Sequence, residues 1–364
     1  MTEKDAGRPA GVSRGVPTSV PGPAQRQPSI KDIARLAHVS HPTVSRALQN
    51  SPLVNAETAA KIRKIAAEQG YRVSAVARGL VTRRTRTIAL VTAADDPFSS
   101  EVACGVEETA NDRGYAVFLA NSDADPERER RVIEELAERR VDGIVVTSSR
   151  VGVFYLPLLK ELDVPIVLVN GQSADESVHS VTIANQEGMR AATEHLIELG
   201  HRRIAYLGDR TGYESDARRL AGYKATLLRA GIGFAPELAV AGDGGPEAAI
   251  EAMHELLRLN TPPTAVCCYD DMTALGAMRA IRARRLRVPE DVSVTGFDDL
   301  FFAAYLAPAL TTVRQPMRQM GRMAMENLFK SMSGQDAVTQ IKVEAELIVR
   351  ASTVKSPERE EDTE

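Results

Sequence analysis

The stretch 29–50, SIKDIARLAHVSHPTVSRALQN, decides how the first part of this chain folds. Ser29 followed by Asp32 is the pattern of a helix-capping box, and apolar residues then recur at helical spacing. Ser40 predicts the start of a second helix, in which Pro42 is tolerated because it falls in the first turn. The stretch therefore predicts two short helices joined by a tight turn, each with one buried face.

The polar residues of the second predicted helix share its outer side. Their hydroxyls, imidazole and guanidinium can bond phosphates or the edges of bases; they are His41, Thr43, Ser45 and Arg46. A third helix is predicted to begin after Asn55 and to end at Gly70, with an apolar stripe between them. Three such helices form a minimal DNA-binding headpiece, although a helical hairpin inside some other core has the same pattern.

Charge is divided unevenly along the chain. Residues 1–86 carry 15 Lys and Arg residues against 5 Asp and Glu residues, whereas the remainder carries 30 basic and 44 acidic residues. A basic end on an acidic body is typical of a protein whose one end meets a polyanion. A solvated basic tail alone would not explain why the arginines continue past the predicted helices as far as Arg86.

Composition excludes several other classes of protein. Residues 1–28 are rich in Pro, Gly, Ser and Arg and have no apolar run, which predicts a disordered leader rather than a signal peptide. No stretch is apolar for long enough to span a bilayer. The 3 cysteines and 6 histidines show no metal-ligand spacing, so we expect reduced, buried thiols in a cytoplasmic protein and no metal site.

From residue 87 onward, short apolar runs alternate with amphipathic helices. The runs are continuous, as in strands buried on both faces of a parallel sheet; they are IALVT, YAVFLAN, GIVVTS, PIVLVN, RIAYLG, TAVCCY and VSVTGF. The pattern predicts an α/β, doubly wound fold in two similar halves. Ligands of such sheets lie at the carboxyl ends of the strands, so the polar residues that follow the runs are candidate ligand contacts.

The motifs of both parts together resemble bacterial transcription regulators of the lactose-repressor type, the LacI/GalR family. The resemblance runs from about Ser29 to Thr353 and includes SIKDIARLAHVSHPTVSRAL, GYRVSAVARGL, ATEHLIELGHRRIAYLG, DDMTALGAMRAI and LRVPEDVSVTGFDDL. It implies an N-terminal helix-turn-helix headpiece, a hinge helix, and a two-subdomain core that resembles periplasmic sugar-binding proteins. In that core the chain crosses between the subdomains several times.

The resemblance also sets the expected domain boundaries. These are the leader at 1–28, the headpiece at 29–73, the hinge helix and linker at 74–86, the core at 87–354 and an acidic tail at 355–364. Within the core, one subdomain is expected to comprise roughly 87–183 with 315–340, and the other roughly 184–314 with 341–354.

DNA contacts in the headpiece follow from the family pattern, residue by residue. The pattern places Ser40 and Ser45 on phosphates, base readers at His41 and Pro42, and Arg46 on a guanine. Many members have a polar side chain where this chain has Pro42. Because proline cannot donate a hydrogen bond, readout there would depend on apolar contact or on DNA shape.

The hinge helix would run from Ser74 to Leu80, with Leu80 as the wedge that enters the minor groove and kinks the DNA. Two residues depart from the family here: Val73 replaces a frequent proline, and Gly79 lies inside the helix at a cost of roughly 1 kcal/mol against alanine. Either the hinge is less stable off DNA than in other members, or Gly79 eases a close backbone approach.

Six residues match the family's effector cleft: Asp96, Phe98, Asn170, Arg219, Asp270 and Asp298. Carboxylates and a guanidinium that converge on one cleft suit a ligand with several hydroxyls, so the expected effector is a sugar or a sugar phosphate. Asp270 stands where many members have asparagine, which makes this cleft more acidic and argues against a phosphorylated ligand. Without the resemblance, each of these acids is equally well explained as a helix cap or a solvated loop residue.

The favoured function is a ligand-responsive, sequence-specific repressor of sugar-utilisation genes, with no cofactor. It would bind double-stranded DNA at a pseudo-palindromic operator as a homodimer, because operator symmetry mirrors protein symmetry. The core alone would suit a solute-binding protein for transport, but the headpiece and the predicted lack of a signal peptide oppose that function. An enzyme is disfavoured, since no phosphate loop, nucleophile elbow or acid–base motif occurs.

Overall fold

The structure is a computed structural model that describes residues 28–71, 84–93, 96–123, 125–149, 162, 164–171, 178–210, 212–242 and 245–357. The chain forms two compact units, which divide between Val81 and Thr82. The predicted leader, the hinge helix from Ser74 to Leu80 and most of the acidic tail lie outside the described residues. No helix within the described ranges is both long and apolar enough to cross a membrane.

The first unit contains three helices, α1 (Ile30–Ala37), α2 (His41–Leu48) and α3 (Ala56–Glu68). Each begins after its predicted cap: the side chains of Ser29, Ser40 and Asn55 each accept a bond from the backbone N–H three residues ahead. The predicted capping box is present, since the backbone N–H of Ser29 donates to Asp32 at 3.0 Å. The apolar faces of the three helices form one small core around fully buried Ile33, Val44 and Ile62.

The second unit contains two six-stranded sheets. The first has the order β2-β1-β3-β4-β5-β11 and is parallel throughout; its strands are β1 (Thr87–Thr92), β2 (Ala116–Asn121), β3 (Gly143–Thr147), β4 (Ile166–Val169), β5 (His179–Ile183) and β11 (Gln340–Val343). The second has the order β7-β6-β8-β9-β10-β12, with only β12 antiparallel; its strands are β6 (Ile204–Asp209), β7 (Ala239–Gly242), β8 (Ala265–Cys268), β9 (Ser293–Asp298), β10 (Thr311–Arg314) and β12 (Glu346–Ile348).

Helices cover both sheets, so the predicted doubly wound α/β fold is confirmed. Those of the first lobe are α4 (Pro97–Asp112), α5 (Pro126–Glu138) and α10 (Met317–Met332); those of the second are α6 (Asn185–Glu198), α7 (Glu214–Arg229), α8 (Gly245–Leu256) and α9 (Asp271–Ala283). Within the described residues, the chain passes between the lobes after β5, after β10 and after β11. These three crossing segments bring side chains from both sheets to one place.

One expected boundary is wrong by a few residues. We expected the second lobe to resume at residue 341, but β11 pairs with β5 in the first sheet, with Gln340 opposite Ser180 and Val343 opposite Ile183. The third crossing therefore follows Val343. The physical reason is that β5 would otherwise leave a row of unpaired backbone groups at the edge of the sheet, and β11 satisfies them.

Helices α4 and α10 cross so closely that only glycine fits at the contact. A Cβ atom added to Gly105 would overlap the backbone carbonyl oxygen of Arg318, and one added to Gly321 would overlap that of Val102. Both obstacles are backbone atoms, so relief requires the two helices to move apart. The glycines therefore set the distance between α4 and α10 in the first lobe.

We expect Gly105→Ala to destabilise the chain by about 1 to 3 kcal/mol through overpacking, although alanine is the better helix former. Gly233→Ala is the matched control, because a Cβ atom at Gly233 meets nothing within 4 Å. Urea unfolding of both variants measures the difference. Equal stability of the two variants would show that the helix crossing tolerates a methyl group.

Candidate nucleic-acid interface and ligand cleft

Helix α2 presents a polar outer face while its inner face is buried. Val44 and Ala47 are buried in the headpiece core, whereas His41, Pro42 and Arg46 are exposed. No acceptor among the described residues bonds the guanidinium of Arg46. An exposed guanidinium on a short helix is free to reach a base edge or a phosphate, as expected from the sequence.

The hydroxyls of α2 have partners within the headpiece. Ser40 Oγ caps the helix by accepting from the backbone N–H of Thr43 at 3.3 Å, and it lies 2.8 Å from Thr43 Oγ1. Ser45 Oγ accepts from Gln49 Nε2 at 3.3 Å. These bonds hold the side chains in place along one edge of the helix, and each hydroxyl keeps further hydrogen-bonding capacity for a phosphate.

The far end of α2 is held by α3. Arg63 Nη2 donates to Asn50 Oδ1 at 2.7 Å and to the carbonyl oxygen of Ala47 at 3.4 Å. Asn50 takes a left-handed conformation with φ of 55°, which asparagine tolerates better than most residues. The C-terminal end of α2 is thus fixed against α3. The DNA contacts expected of Ser74 and Leu80 lie outside the described residues and stay predictions.

Arg219 lies at the centre of the candidate ligand cleft and is 1% exposed. Its three nitrogens are all bonded: Nε donates to Asn185 Oδ1 at 2.8 Å, Nη1 to the carbonyl oxygen of Tyr269 at 2.5 Å, and Nη2 to Asp298 Oδ1 at 3.4 Å. Its guanidinium carbon is 3.6 Å from the centre of the Phe297 ring and 4.6 Å from that of Tyr269. This contact is a cation–π interaction in a buried setting.

Asp298 ends strand β9 and is buried beside Arg219. Its φ of 110° is unusual for a residue other than glycine, and such backbone strain is typical of functional sites. Gln315 Nε2 donates a short hydrogen bond to Asp298 Oδ1. Burial raises the pKa of Asp298 to about 7, against the opposing effect of Arg219, and the charge of Asp270 adds to the rise.

This raised pKa makes stability depend on pH. The folded-state pKa lies above the ordinary value of 3.8, so between about pH 4 and pH 7 the folded chain binds more protons at this site than the unfolded chain, and stability falls as pH rises. Asp298→Asn removes the titration. We therefore expect the free energy of unfolding of the variant, relative to wild type, to rise by a few kcal/mol between about pH 5 and pH 8. Urea titrations across this pH range measure the free energies of unfolding of both proteins. A difference between them that stays constant with pH would contradict this prediction.

Asp270 and Asp96 are helix caps as well as candidate ligand contacts. Asp270 Oδ1 accepts from the backbone N–H of Thr273 at 2.7 Å at the start of α9. Asp96 Oδ1 accepts from the backbone N–H of Phe98 at 3.0 Å at the start of α4. Burial raises the pKa of both carboxyls, and the charge of Asp96 contributes to the raised pKa of Asp298. The charge of a carboxylate in the first lobe therefore acts on a carboxylate in the second.

The remaining predicted residues lie in differing surroundings. Asn170, directly after β4, has a buried Oδ1 atom with no hydrogen-bond partner among the described residues. Phe98 is 4% exposed, and its ring packs in the apolar core. Arg219 bonds to Asp298 and to the backbone beside Asp270. Within the part of the chain that the structure describes, no side-chain hydrogen bond joins Asn170 or Phe98 to that cluster.

Two neighbouring acids have structural partners. Asp271 is fully buried and accepts from the backbone N–H of Leu300 at 2.7 Å and from Thr312 Oγ1 at 2.5 Å. Asp299 pairs with Arg314 at 2.7 Å and with Arg350 at 2.6 Å. Both therefore stabilise the second lobe around β9 and β10.

Sequence reasoning missed Asn185 and Gln315. They form one hydrogen-bonded group with Arg219, Tyr269 and Asp298, the Arg219 cluster. Asn185 begins α6 directly beyond the first crossing, and Gln315 lies in the second. Each follows a short strand, HSVTI or TTVR, that was not among the recognised apolar runs. The signal that could have found them is the same one used elsewhere, a polar residue just after a strand.

Family models match both parts of the chain. The model described as bacterial regulatory proteins, lacI family, matches residues 29–74, and that of a periplasmic binding protein-like domain matches residues 193–353. The HTH-type transcriptional regulator RegA of Clostridium saccharobutylicum is 38% identical over 329 residues, which are 90% of this chain and 99% of RegA. The HTH-type transcriptional repressor PurR of Aliivibrio fischeri (strain ATCC 700601 / ES114) is 35% identical over 329 residues, 89% of this chain and 98% of PurR.

Solved structures with the same fold include regulators bound to ligands. The Lac repressor dimer bound to operator and the anti-inducer ONPF matches with a TM-score of 0.83 and 26% identity, over 90% of this chain and all of that one (100%). The complex of the transcriptional regulator CelR with cellobiose matches with a TM-score of 0.69 and 33% identity, over 89% of this chain and 99% of that one.

One chain carries a capped helix-turn-helix headpiece and a two-lobed core with a buried polar cluster, and this combination defines a class of ligand-binding transcription regulators. The chain belongs to the lacI family of bacterial regulatory proteins. It is accordingly a DNA-binding transcriptional regulator with a ligand-binding core.

Proposed function

We propose that this regulator represses sugar-utilisation genes in the cytoplasm, by binding alone and without catalysis. It binds a pseudo-palindromic operator as a homodimer, and a sugar in the core cleft changes its affinity for DNA. The observation that supports this proposal best is the buried Arg219 cluster. It joins the ends of β8 and β9 to Asn185 and Gln315, which lie at two of the lobe crossings. The solved dimer of the Lac repressor with operator and the cellobiose complex of CelR support the partners proposed.

The coupling between cleft and DNA follows from where the cluster is anchored. Asn185 and Gln315 lie at the first and second crossings, and both are bonded within the cluster that contains Asp298. A ligand that bonds Asp298 and Arg219 changes the forces on both crossings, and so favours one arrangement of the lobes. Ligand and operator then alter each other's affinity by the same factor.

The proposed DNA contacts are of two kinds: contacts to phosphates, which position the headpiece, and contacts to bases, which recognise the sequence. Ser40 and Ser45 bind phosphates beside Thr43, while His41, Pro42 and Arg46 meet base edges. Ser74 and Leu80 belong to the hinge, where Leu80 enters the minor groove and kinks the site. Phosphate contacts set the register of the headpiece, and base contacts supply the discrimination.

Selection of binding sites from random-sequence DNA by the full chain tests the proposal. The expected product is a sequence with two symmetric half-sites, because two identical headpieces read it. Its affinity should fall steeply with salt, as counterions are released from the phosphates. Failure to enrich any sequence, or enrichment of a single half-site only, would overturn the proposal of a dimeric operator-binding regulator.

Arg46→Ala should reduce discrimination at one guanine of each half-site by roughly 1 to 3 kcal/mol and leave non-specific binding largely unchanged. The reason is the exposed guanidinium on the outer face of α2. Arg35→Ala is the matched control, since Arg35 is an exposed arginine of the same unit whose partner is Asp32 on α1. Binding titrations on selected and scrambled DNA distinguish the two. An equal loss on both DNAs for Arg46→Ala would mean that Arg46 contacts only phosphate.

A further inference from the structure

The unsatisfied groups around the cleft cluster are hydrogen-bond acceptors. Gln315 is 3% exposed, and while its Nε2 donates to Asp298, its buried Oε1 has no partner among the described residues. Asn170, directly after β4 in the first lobe, also has a buried Oδ1 atom without a described partner, although no hydrogen bond joins it to the cluster. A buried acceptor without a donor is costly, so these atoms favour a ligand that brings donors.

The carboxylates add negative charge to this acceptor surface. Burial raises the pKa of Asp96, Asp270 and Asp298, and the charges of Asp96 and Asp270 both raise that of Asp298. Asp96 and Asp270 must therefore lie close enough to Asp298 for their charges to repel its ionised form. Burial strengthens this repulsion, because the dielectric constant is low inside the protein. A further anion in the same cleft would add to that repulsion.

The cation at the centre of the cluster is already engaged. Each nitrogen of Arg219 donates to an acceptor of the protein, and two aromatic rings cover its guanidinium. Recognition of a phosphate commonly uses an arginine whose planar fork faces the ligand with two parallel N–H groups. Three of the five N–H groups of Arg219 already donate to Asn185, Tyr269 and Asp298, and its charge is paired with the Asp298 carboxylate, so only two N–H groups remain for a ligand.

Resting on the proposed sugar-responsive function, we propose that the cleft takes only unphosphorylated sugars and that the negative charge of Asp270 is the element that rejects sugar phosphates. Hydroxyl groups donate to Asp270, Asp298 and the unmatched amide oxygen of Gln315. A phosphate group at neutral pH brings two negative charges and strong acceptors, which meet carboxylates and amide oxygens instead of donors. Specificity here comes from repulsion of the wrong ligand as well as attraction of the right one.

Asp270→Asn separates the charge of this residue from its structural role. Asparagine caps helices about as well as aspartate, so the bond from the Thr273 N–H at the start of α9 can be kept. Asp291→Asn is the matched control: it makes the same change of charge, but Asp291 precedes β9, at the opposite end of the strand from Asp298. A fully extended strand of this length separates the two ends by roughly 20 Å.

The test is a thermal-shift titration of the full chain with matched pairs: glucose and glucose 6-phosphate, galactose and galactose 6-phosphate, ribose and ribose 5-phosphate. In wild type, we expect the parent sugar of at least one pair to stabilise the protein at a concentration at least about tenfold below its phosphate ester. Asp270→Asn should reduce the ratio of these two stabilising concentrations, phosphate ester to parent sugar, by about tenfold, whereas Asp291→Asn should leave the ratio unchanged.

A phosphate ester that binds as tightly as its parent sugar in wild type would overturn the proposal. So would a preference that Asp270→Asn leaves intact, because size rather than charge would then exclude the ester. If no sugar in either form stabilises the chain, the sugar effector of the proposed function fails and this proposal fails with it. If the wild-type protein binds a phosphate ester more tightly than its parent sugar, the proposal that Asp270 rejects sugar phosphates fails, but the sugar-responsive function does not.

Discussion

Replacing Arg219 by methionine is expected to lower the free energy of unfolding by about 3 to 5 kcal/mol, as for other buried ion pairs that lose one partner. Methionine keeps much of the volume between Phe297 and Tyr269 but removes all the bonds to Asn185, Tyr269 and Asp298. Asn185 Oδ1 and the carbonyl oxygen of Tyr269 would then lose the donor described for them, and Asp298 Oδ1 would keep only the bond from Gln315. Urea unfolding of the purified chain measures the loss.

Arg218→Met is the matched control for this change, since Arg218 is the preceding residue on α7, is about half exposed, and pairs only at the surface with Glu214 at 2.8 Å. Exposed pairs of this kind contribute about 0 to 1 kcal/mol. The loss for Arg219→Met should also grow as pH rises above about 7, because Arg219 lowers the pKa of Asp298 in wild type, and without that cation the buried carboxyl keeps its proton to higher pH. Similar losses for Arg218→Met and Arg219→Met would show that the buried cluster does not stabilise the core.

Asp298→Asn should raise the ligand concentration needed to change operator binding by roughly 10- to 100-fold, because hydrogen bonds to a charged group contribute about 1.5 to 3 kcal/mol. The side chain keeps its shape and its position at the end of β9. Operator affinity without ligand should stay near that of wild type. The measurement is operator binding across a titration with a sugar that stabilises the wild-type core.

Asp291→Asn again provides the control, with the same change of charge outside the cleft. It should leave both the operator affinity and the midpoint of the ligand response in place. If Asp298→Asn instead shifts operator affinity in the absence of ligand and leaves the response curve unchanged, Asp298 is a structural residue and the cleft has been assigned wrongly.

The headpiece could be predicted in detail from sequence because its determinants are local. Ser29, Ser40 and Asn55 each cap a helix through an N–H only three residues away. The periodic apolar residues between the caps then specify which faces meet. No contact distant in sequence was needed to place α1, α2 and α3.

The sheets were predicted in part, and the omissions have a common cause. Strands with continuous apolar runs, such as β1 and β3, were recognised because they are buried on both faces. Strands β10 and β11 are short and rich in polar residues, TTVR and QIKV. Their strand conformation depends on pairing with β9 and β5, which a local pattern does not reveal.

The Arg219 cluster lay furthest beyond sequence reasoning alone. Its candidates Arg219, Asp270 and Asp298 came from the family resemblance, and the bond between Arg219 and Asp298 joins residues that are 79 positions apart. The role of Gln315 depends on a lobe crossing, since its partner Asp298 ends a different strand. Such long-range juxtapositions follow from the path of the chain between the lobes.

The most direct test of a ligand-coupled regulator is reciprocity. Operator affinity is measured with and without a saturating sugar, and sugar affinity is measured on the free chain and on the operator complex. Both ratios should differ from 1 by the same factor, of about 5 to 150 if the coupling is of ordinary size. The coupling of cleft and DNA would be contradicted by a sugar that binds the cleft but leaves operator affinity unchanged. Weaker binding of that sugar to Asp298→Asn would show that it binds there.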